Sequence, residues 1–86
     1  MLEKIKIALR LTHDIFDDEI KDLIADCKVD LQLAGVVKTE DNDPLILRAT
    51  TLYCKGHFGY ADMGEKYLIA YEKLKVKLAL VGENNV

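Results

Sequence analysis

The sequence predicts an all-α fold, a compact bundle of three long helices preceded by a short one. Three observations predict it. Apolar residues recur at three- and four-residue steps through three stretches of the chain, the period that gathers side chains on one helical face. Capping and stop residues lie between those stretches. With 86 residues, half of them hydrophobic, there is material for one core and not for two, because a chain this short buries roughly 60–65% of its unfolded surface. Domains of this size often lean on metals, disulfides or neighbours, so self-association is expected.

Residues 2–11 form the short amphipathic helix, with Leu2, Ile5, Ala8 and Leu9 on one side. About ten residues fray in isolation, so this helix must be packed. Thr12, His13 and Asp14 break the pattern. Asp14 or Asp17 then caps the second helix, whose acidic first turn, Asp17, Asp18 and Glu19, suits the positive end of the helix dipole. Its apolar face is Phe16, Ile20, Leu23, Ile24, Cys27 and Leu31, and Ala34 and Gly35 mark its end. On the opposite side Asp18, Asp22, Asp26 and Asp30 recur every fourth residue. Like charges at this spacing cost a few tenths of a kcal/mol per pair, so the row is either a solvated face or a surface meant for a basic partner or for repelling polyanions.

Residues 35–43, GVVKTEDND, make the long loop, polar after Val36 and Val37. The central helix runs from Asp43 to Tyr60. Asp43 offers an oxygen to first-turn amides and Pro44 supplies a preset φ where no donor is needed. Leu45, Ala49, Leu52, Tyr53 and Gly56 form its stripe, widened by Ile46 and Leu47 until most of the circumference is apolar. Such a helix is wrapped by others. Glycine at position 56 costs about 1 kcal/mol relative to alanine, which points to a close helix crossing, and Gly59 followed by Tyr60 reads as a left-handed stop.

Asp62 and Glu65 stand three apart as a capping box opening the last helix. Its face is Met63, Tyr67, Ala70, Tyr71, Leu74, Leu78 and Val81, and Gly82 is its expected stop. Residues 1–82 thus make a single domain and 83–86 a short flexible tail. The core expected from these faces is Phe16, Ile20, Leu23, Leu45, Leu52, Tyr53, Tyr67, Tyr71 and Leu74.

Charge is unevenly spread. The net charge is −3, but residues 14–43 hold ten acids against three lysines, and residues 44–86 hold six bases against four acids. Such a layout favours contact between the acidic part of one copy and the basic part of another. The opening MLEKIKIALRL is too charged for a signal peptide or a bilayer span, so synthesis in the cytoplasm is expected, with no membrane partner.

Catalytic and metal chemistry find little support. Cys27, Cys54, His13 and His57 could by count make a zinc site, but Cys27 has no close partner and both cysteines fall on or beside apolar faces, where free cysteine acts as a small hydrophobe. Neither zinc nor a Cys27–Cys54 disulfide is expected, and His57 reads as a satisfied residue near a helix end. The chain contains no serine, which removes a serine nucleophile and the attachment point of an acyl carrier. Its five glycines are scattered, so there is no phosphate loop. No cofactor and no enzymatic activity are expected. Arg10 and Arg48 are the only arginines, a weak endowment for a DNA reader; Lys66, Lys73, Lys75 and Lys77 of the last helix are the best argument for one, and Lys66, Lys73 and Lys77 fall roughly on one side.

Taken in order, Leu9-Arg10-Leu11, Asp17-Asp18-Glu19-Ile20 leading to Leu23-Ile24, Asp43-Pro44-Leu45-Ile46, Phe58-Gly59-Tyr60, and Tyr67, Tyr71, Leu74 and Leu78 resemble the phage head-tail connector family over about residues 2–82. The resemblance implies a helical adaptor of the virion that assembles as a dodecameric ring between the portal protein and the neck or tail completion proteins. DNA would pass through the ring without being read. An acidic lumen would suit this, since like charge prevents sticking. Asp18, Asp22, Asp26, Asp30, Arg48, Lys66, Lys73 and Lys77 are the candidate subunit-interface residues. The alternative is a small prophage helical protein that binds DNA or regulates.

Overall fold

The computed structural model describes residues 1–36, 39–40, 42–58 and 63–84, the last four by backbone alone. Four helices and no strand occur among the described residues: α1, Leu2–Ala8; α2, Asp17–Leu33; α3, Pro44–His57; and α4, Gly64–Asn84. α3 lies at the centre, packed most extensively on α4 and also touching α2 and α1.

α1 stops three residues before the expected end because Arg10 takes a left-handed conformation, φ 61°. The Arg10 amide donates to the Ile7 carbonyl at 3.0 Å and the Leu11 amide to that of Lys6 at 2.9 Å. This is the paired closure that glycine usually makes at a helix end. Ile5 and Leu9 are buried with Ile20 and Cys54 in one cluster, where Leu2, Leu11, Leu23, Ile24, Leu47 and Phe58 join them in part. That packing is what holds so short a helix together.

Neither Asp14 nor Asp17 caps α2. The N-cap is Phe16, with no side-chain bond to the first turn, since both carboxylates are turned toward Lys6. Phe16, expected in the core, is 38% exposed and meets Phe58 edge-on at 5.3 Å between ring centroids. The far end follows expectation: Gly35 takes φ 101°, its amide donates to Gln32 O, and the Val36 amide donates to Leu31 O at 3.0 Å. Leu31 and Val36 are buried together there, the apolar contact that goes with this closure.

α3 opens as predicted, with Asp43 Oδ1 accepting from the Leu45 amide at 2.8 Å and the Ile46 amide at 3.4 Å. Its buried residues are Ile46, Ala49, Thr50 and Cys54, a face turned by about one position from the expected stripe. Leu45 is accordingly 47% exposed, and Leu52 and Tyr53 are half-buried. Thr50 tolerates burial by donating its hydroxyl to the Ile46 carbonyl at 2.7 Å. The close crossing at Gly56 is present, since a Cβ there would lie 2.5 Å from Leu68 Cγ and Cδ2 and 3.2 Å from the Gly64 carbonyl oxygen. Phe58 caps the helix; the Gly59–Tyr60 stop lies outside the described residues.

α4 buries Tyr71 and Leu78 against Cys27, Leu31, Val36, Ile46 and Ala49, with Leu52, Tyr53, Leu74 and Ala79 in support. Tyr67 is half-buried, but Met63 and Ala70, both assigned to the inner face, are exposed. The helix also continues through Gly82 to Asn84, so Gly82 is not a stop. Asp62 of the expected capping box, and residues 37, 38, 41, 85 and 86, lie outside the described residues, as does the side chain of Val81.

Candidate functional site

Two polar assemblies are consumed in holding the helices together. In the first, Lys6 is 6% exposed and places its ammonium 2.6 Å from Asp14 Oδ1 and 3.0 Å from Asp17 Oδ1. Hydrogen bonds to Asp14 and Asp17 raise the lysine pKa well above its ordinary value, and the same bond to Lys6 lowers that of Asp14. The pair ties the segment after α1 to the start of α2.

The second assembly joins α2 to α4. The Tyr71 hydroxyl donates to Asp30 Oδ2 at 2.5 Å, and Lys75 Nζ donates to the same oxygen at 3.0 Å while pairing with Glu72. Tyr71 is also flanked by Tyr53, with ring centroids 5.1 Å apart, and by the Lys75 ammonium 5.3 Å from its own ring centre. Burial, then the bond to Asp30, raises the phenol pKa. The Tyr71 bond and then Lys75 hold the Asp30 carboxyl below its usual range against the opposing effect of burial. Lys75 is raised because its bonds to Glu72 and Asp30 outweigh its desolvation.

Neither cysteine is placed for chemistry. Both are free and fully buried, in separate clusters. Burial pushes the Cys27 thiol up and the Cys54 thiol to about 12, whereas reactive cysteines are partly exposed and have lowered pKa values. Among the described residues no group of three His, Cys, Asp or Glu side chains is arranged to hold a metal ion. His57, the last residue of α3, is exposed, its ring tilted 43° to that of Tyr53 with centroids 4.2 Å apart.

The charged residues singled out from the sequence separate into two kinds. Asp18, Asp22 and Asp26 are exposed, but Asp30 is half-buried and engaged with Tyr71 and Lys75. The reason is geometric, because four-residue steps overrun the helical repeat and carry Asp30 about 120° around α2 from Asp18. Lys66, Lys73 and Lys77 are exposed along α4, within about 40° of one another. No ion pair among the described residues uses these lysines or Asp18, Asp22 and Asp26. Arg48 is exposed beside a shallow, mainly apolar depression of about 330 Å³ formed with Pro44, Leu47, Thr51 and Leu52. The structure thus does not bring Asp18, Asp22 and Asp26 of α2 to Lys66, Lys73 and Lys77 of α4 within one protomer, and Asp30 meets Lys75 instead. The Lys6 clamp and the Tyr71 hub went unread in the sequence; the lone lysine between Ile5 and Ile7 was the available signal for the first.

Internal polar groups spent on structure, with no metal group among the described residues and both cysteines buried, define a class of protein, a small helical module built around packing. The chain belongs to the phage connector protein family, whose family model matches residues 1–85. No curated protein and no solved structure matches it. Membership makes it a structural connector component of the phage particle, a family that works with other head and tail proteins. No described helix is long and apolar enough to cross a membrane.

Proposed function

We propose that this chain is a non-enzymatic subunit of a head-tail connector ring, joining the portal vertex of a phage or prophage head to the tail and continuing the DNA channel. The observation that carries the reading is the connector-family match over almost the whole chain. The exposed, unpaired acids of α2 and lysines of α4 support it, because a contact between copies can neutralise both rows. The expected state in the particle is a dodecamer, with the portal on one side and neck or tail completion proteins on the other. With two arginines and an acidic balance, the ring passes DNA without reading bases.

Native mass spectrometry of the purified chain, alone and with a portal protein, tests the proposal. A ring, or a complex formed on the portal, is the expected result. A protomer that stays single at high concentration and ignores the portal refutes it. A gel shift at moderate salt separates the alternative: a connector shows little DNA binding, and a retained sequence preference would favour the DNA-binding regulator.

A further inference from the structure

α4 is apolar on two sides. Tyr71 and Leu78 face the core, yet Ile69, Val76 and Leu80 are 50%, 59% and 57% exposed. These three lie within about 40° of one another and about 160° around the helix from Tyr71, so they form a continuous outer stripe. Lys66, Lys73 and Lys77 border it on one edge and Glu65 and Glu72 on the other. α2 carries a face of the opposite sign. Val29 and Leu33 are 54% and 83% exposed and share with Asp18, Asp22 and Asp26 an arc of about 80°, turned away from Ile20, Cys27 and Leu31.

We infer that the lysine-edged outer stripe of α4 docks on the aspartate-bearing outer face of α2 in a second copy of this chain. The inference rests on the connector reading and names the surfaces that reading leaves open. The α2 face combines apolar side chains with negative charge, the α4 stripe offers it a lysine edge, and neither those aspartates nor those lysines are paired within the protomer. Joining them buries Ile69, Val76 and Leu80 against Val29 and Leu33 and brings Lys66, Lys73 and Lys77 to Asp18, Asp22 and Asp26. The alternative of α4 against α4 would leave the aspartates of α2 unpaired. The contact is between unlike faces, so a pair as a whole retains one free face of each kind and can continue the assembly. It also removes the acid row of α2 from any channel wall.

Two full-length variants test the assignment: Val76→Ser with Leu80→Ser, and Val29→Ser with Leu33→Ser. All four residues are exposed in the protomer, so circular dichroism should show unchanged helicity. In sedimentation velocity each variant alone is expected to associate at least tenfold more weakly than the parent. An equimolar mixture is expected to form one-to-one dimers, because each variant keeps the face the other lacks. As a second arm, Lys73→Glu with Lys77→Glu should abolish assembly, and Asp22→Lys with Asp26→Lys in the same chain should restore it. If either serine variant assembles like the parent, or the mixture stays monomeric, the α4-to-α2 contact is wrong and the connector reading survives. If the parent neither self-associates nor assembles on the portal, both fall.

Discussion

Replacing Gly56 with alanine sets two effects of similar size against each other at the α3–α4 crossing. In a helix interior alanine is better than glycine by about 1 kcal/mol, so at an open position the change would stabilise. At Gly56 the new methyl would lie 2.5 Å from both Leu68 Cγ and Cδ2 and 3.2 Å from the Gly64 carbonyl oxygen. The Cδ2 atom can swing away, but Cγ moves only with the whole side chain and the carbonyl only with the backbone of α4. Overpacking of this kind costs about 1–3 kcal/mol. The net expectation is a loss of about 1 kcal/mol, which for a domain this size lowers Tm by roughly 4–8 °C. Leu68→Ala removes both atoms of the close contact, so in that background Gly56→Ala should become neutral or stabilising. Urea unfolding followed by circular dichroism, at one low protein concentration, measures all four corners of the cycle. A stabilising Gly56→Ala in the parent chain, or an equal cost in both backgrounds, would refute the crossing.

Four further outcomes follow from the fold. Arg10→Gly should raise Tm, because a left-handed L-residue carries about 1–2 kcal/mol of strain, of which up to about 1 kcal/mol survives glycine's added freedom in the unfolded chain; a lower Tm would show that the Arg10 side chain stabilises more than its backbone strain costs. Asp43→Ala should cost about 1 kcal/mol by removing the α3 cap, and Asp43→Asn much less; equal losses in urea unfolding would deny the cap. Asp30 and Asp14 are both held below the ordinary carboxylate range, so their contribution is complete above pH ~4 and is lost as pH falls through the lower folded-state values. Tm should therefore be flat near neutrality and fall in acid. Asp30→Asn should shrink that fall, and an unchanged acid limb would remove Asp30 from it. Tyr71→Phe should cost about 1.5–3 kcal/mol at neutral pH, the range for a hydrogen bond to a charged group.

Features set by local chemistry were legible in the sequence. Asp43-Pro44 fixes the start of α3 because cap and first turn are neighbours in the chain, and Gly35 fixes the end of α2 for the same reason. Gly56 announced a crossing because nothing else rewards glycine in mid-helix. The end of α1 was hidden, since Arg10 occupies a left-handed position that glycine usually marks. Phe16 was misassigned because it is the N-cap, where helical periodicity does not apply. The first turn of α3, Pro44 to Leu47, is apolar throughout, so periodicity does not choose between Leu45 and Ile46; packing against α2 and α4 chose Ile46. The charged rows were visible as helix positions. The drift of Asp30 off its row follows from the helical repeat, but its engagement by Tyr71, 41 residues away, was not legible.

Two departures from local rules have different explanations. Arg10 is strained, yet Ile5, Leu9 and Leu11 gather around the first core cluster because the chain turns there, so the protomer contains what offsets the strain. The exposed aspartates of α2 are different. Nothing among the described ion pairs relieves Asp18, Asp22 and Asp26, although like charges at this spacing weaken a helix. The outer stripe of α4 likewise leaves apolar surface in water beside three unpaired lysines. A sequence whose local choices mostly agree with its fold puts its unresolved conflicts at functional surfaces. Here the conflicts are complementary in sign and each includes apolar area. The proposed contact between copies would resolve both, and a single protomer resolves neither.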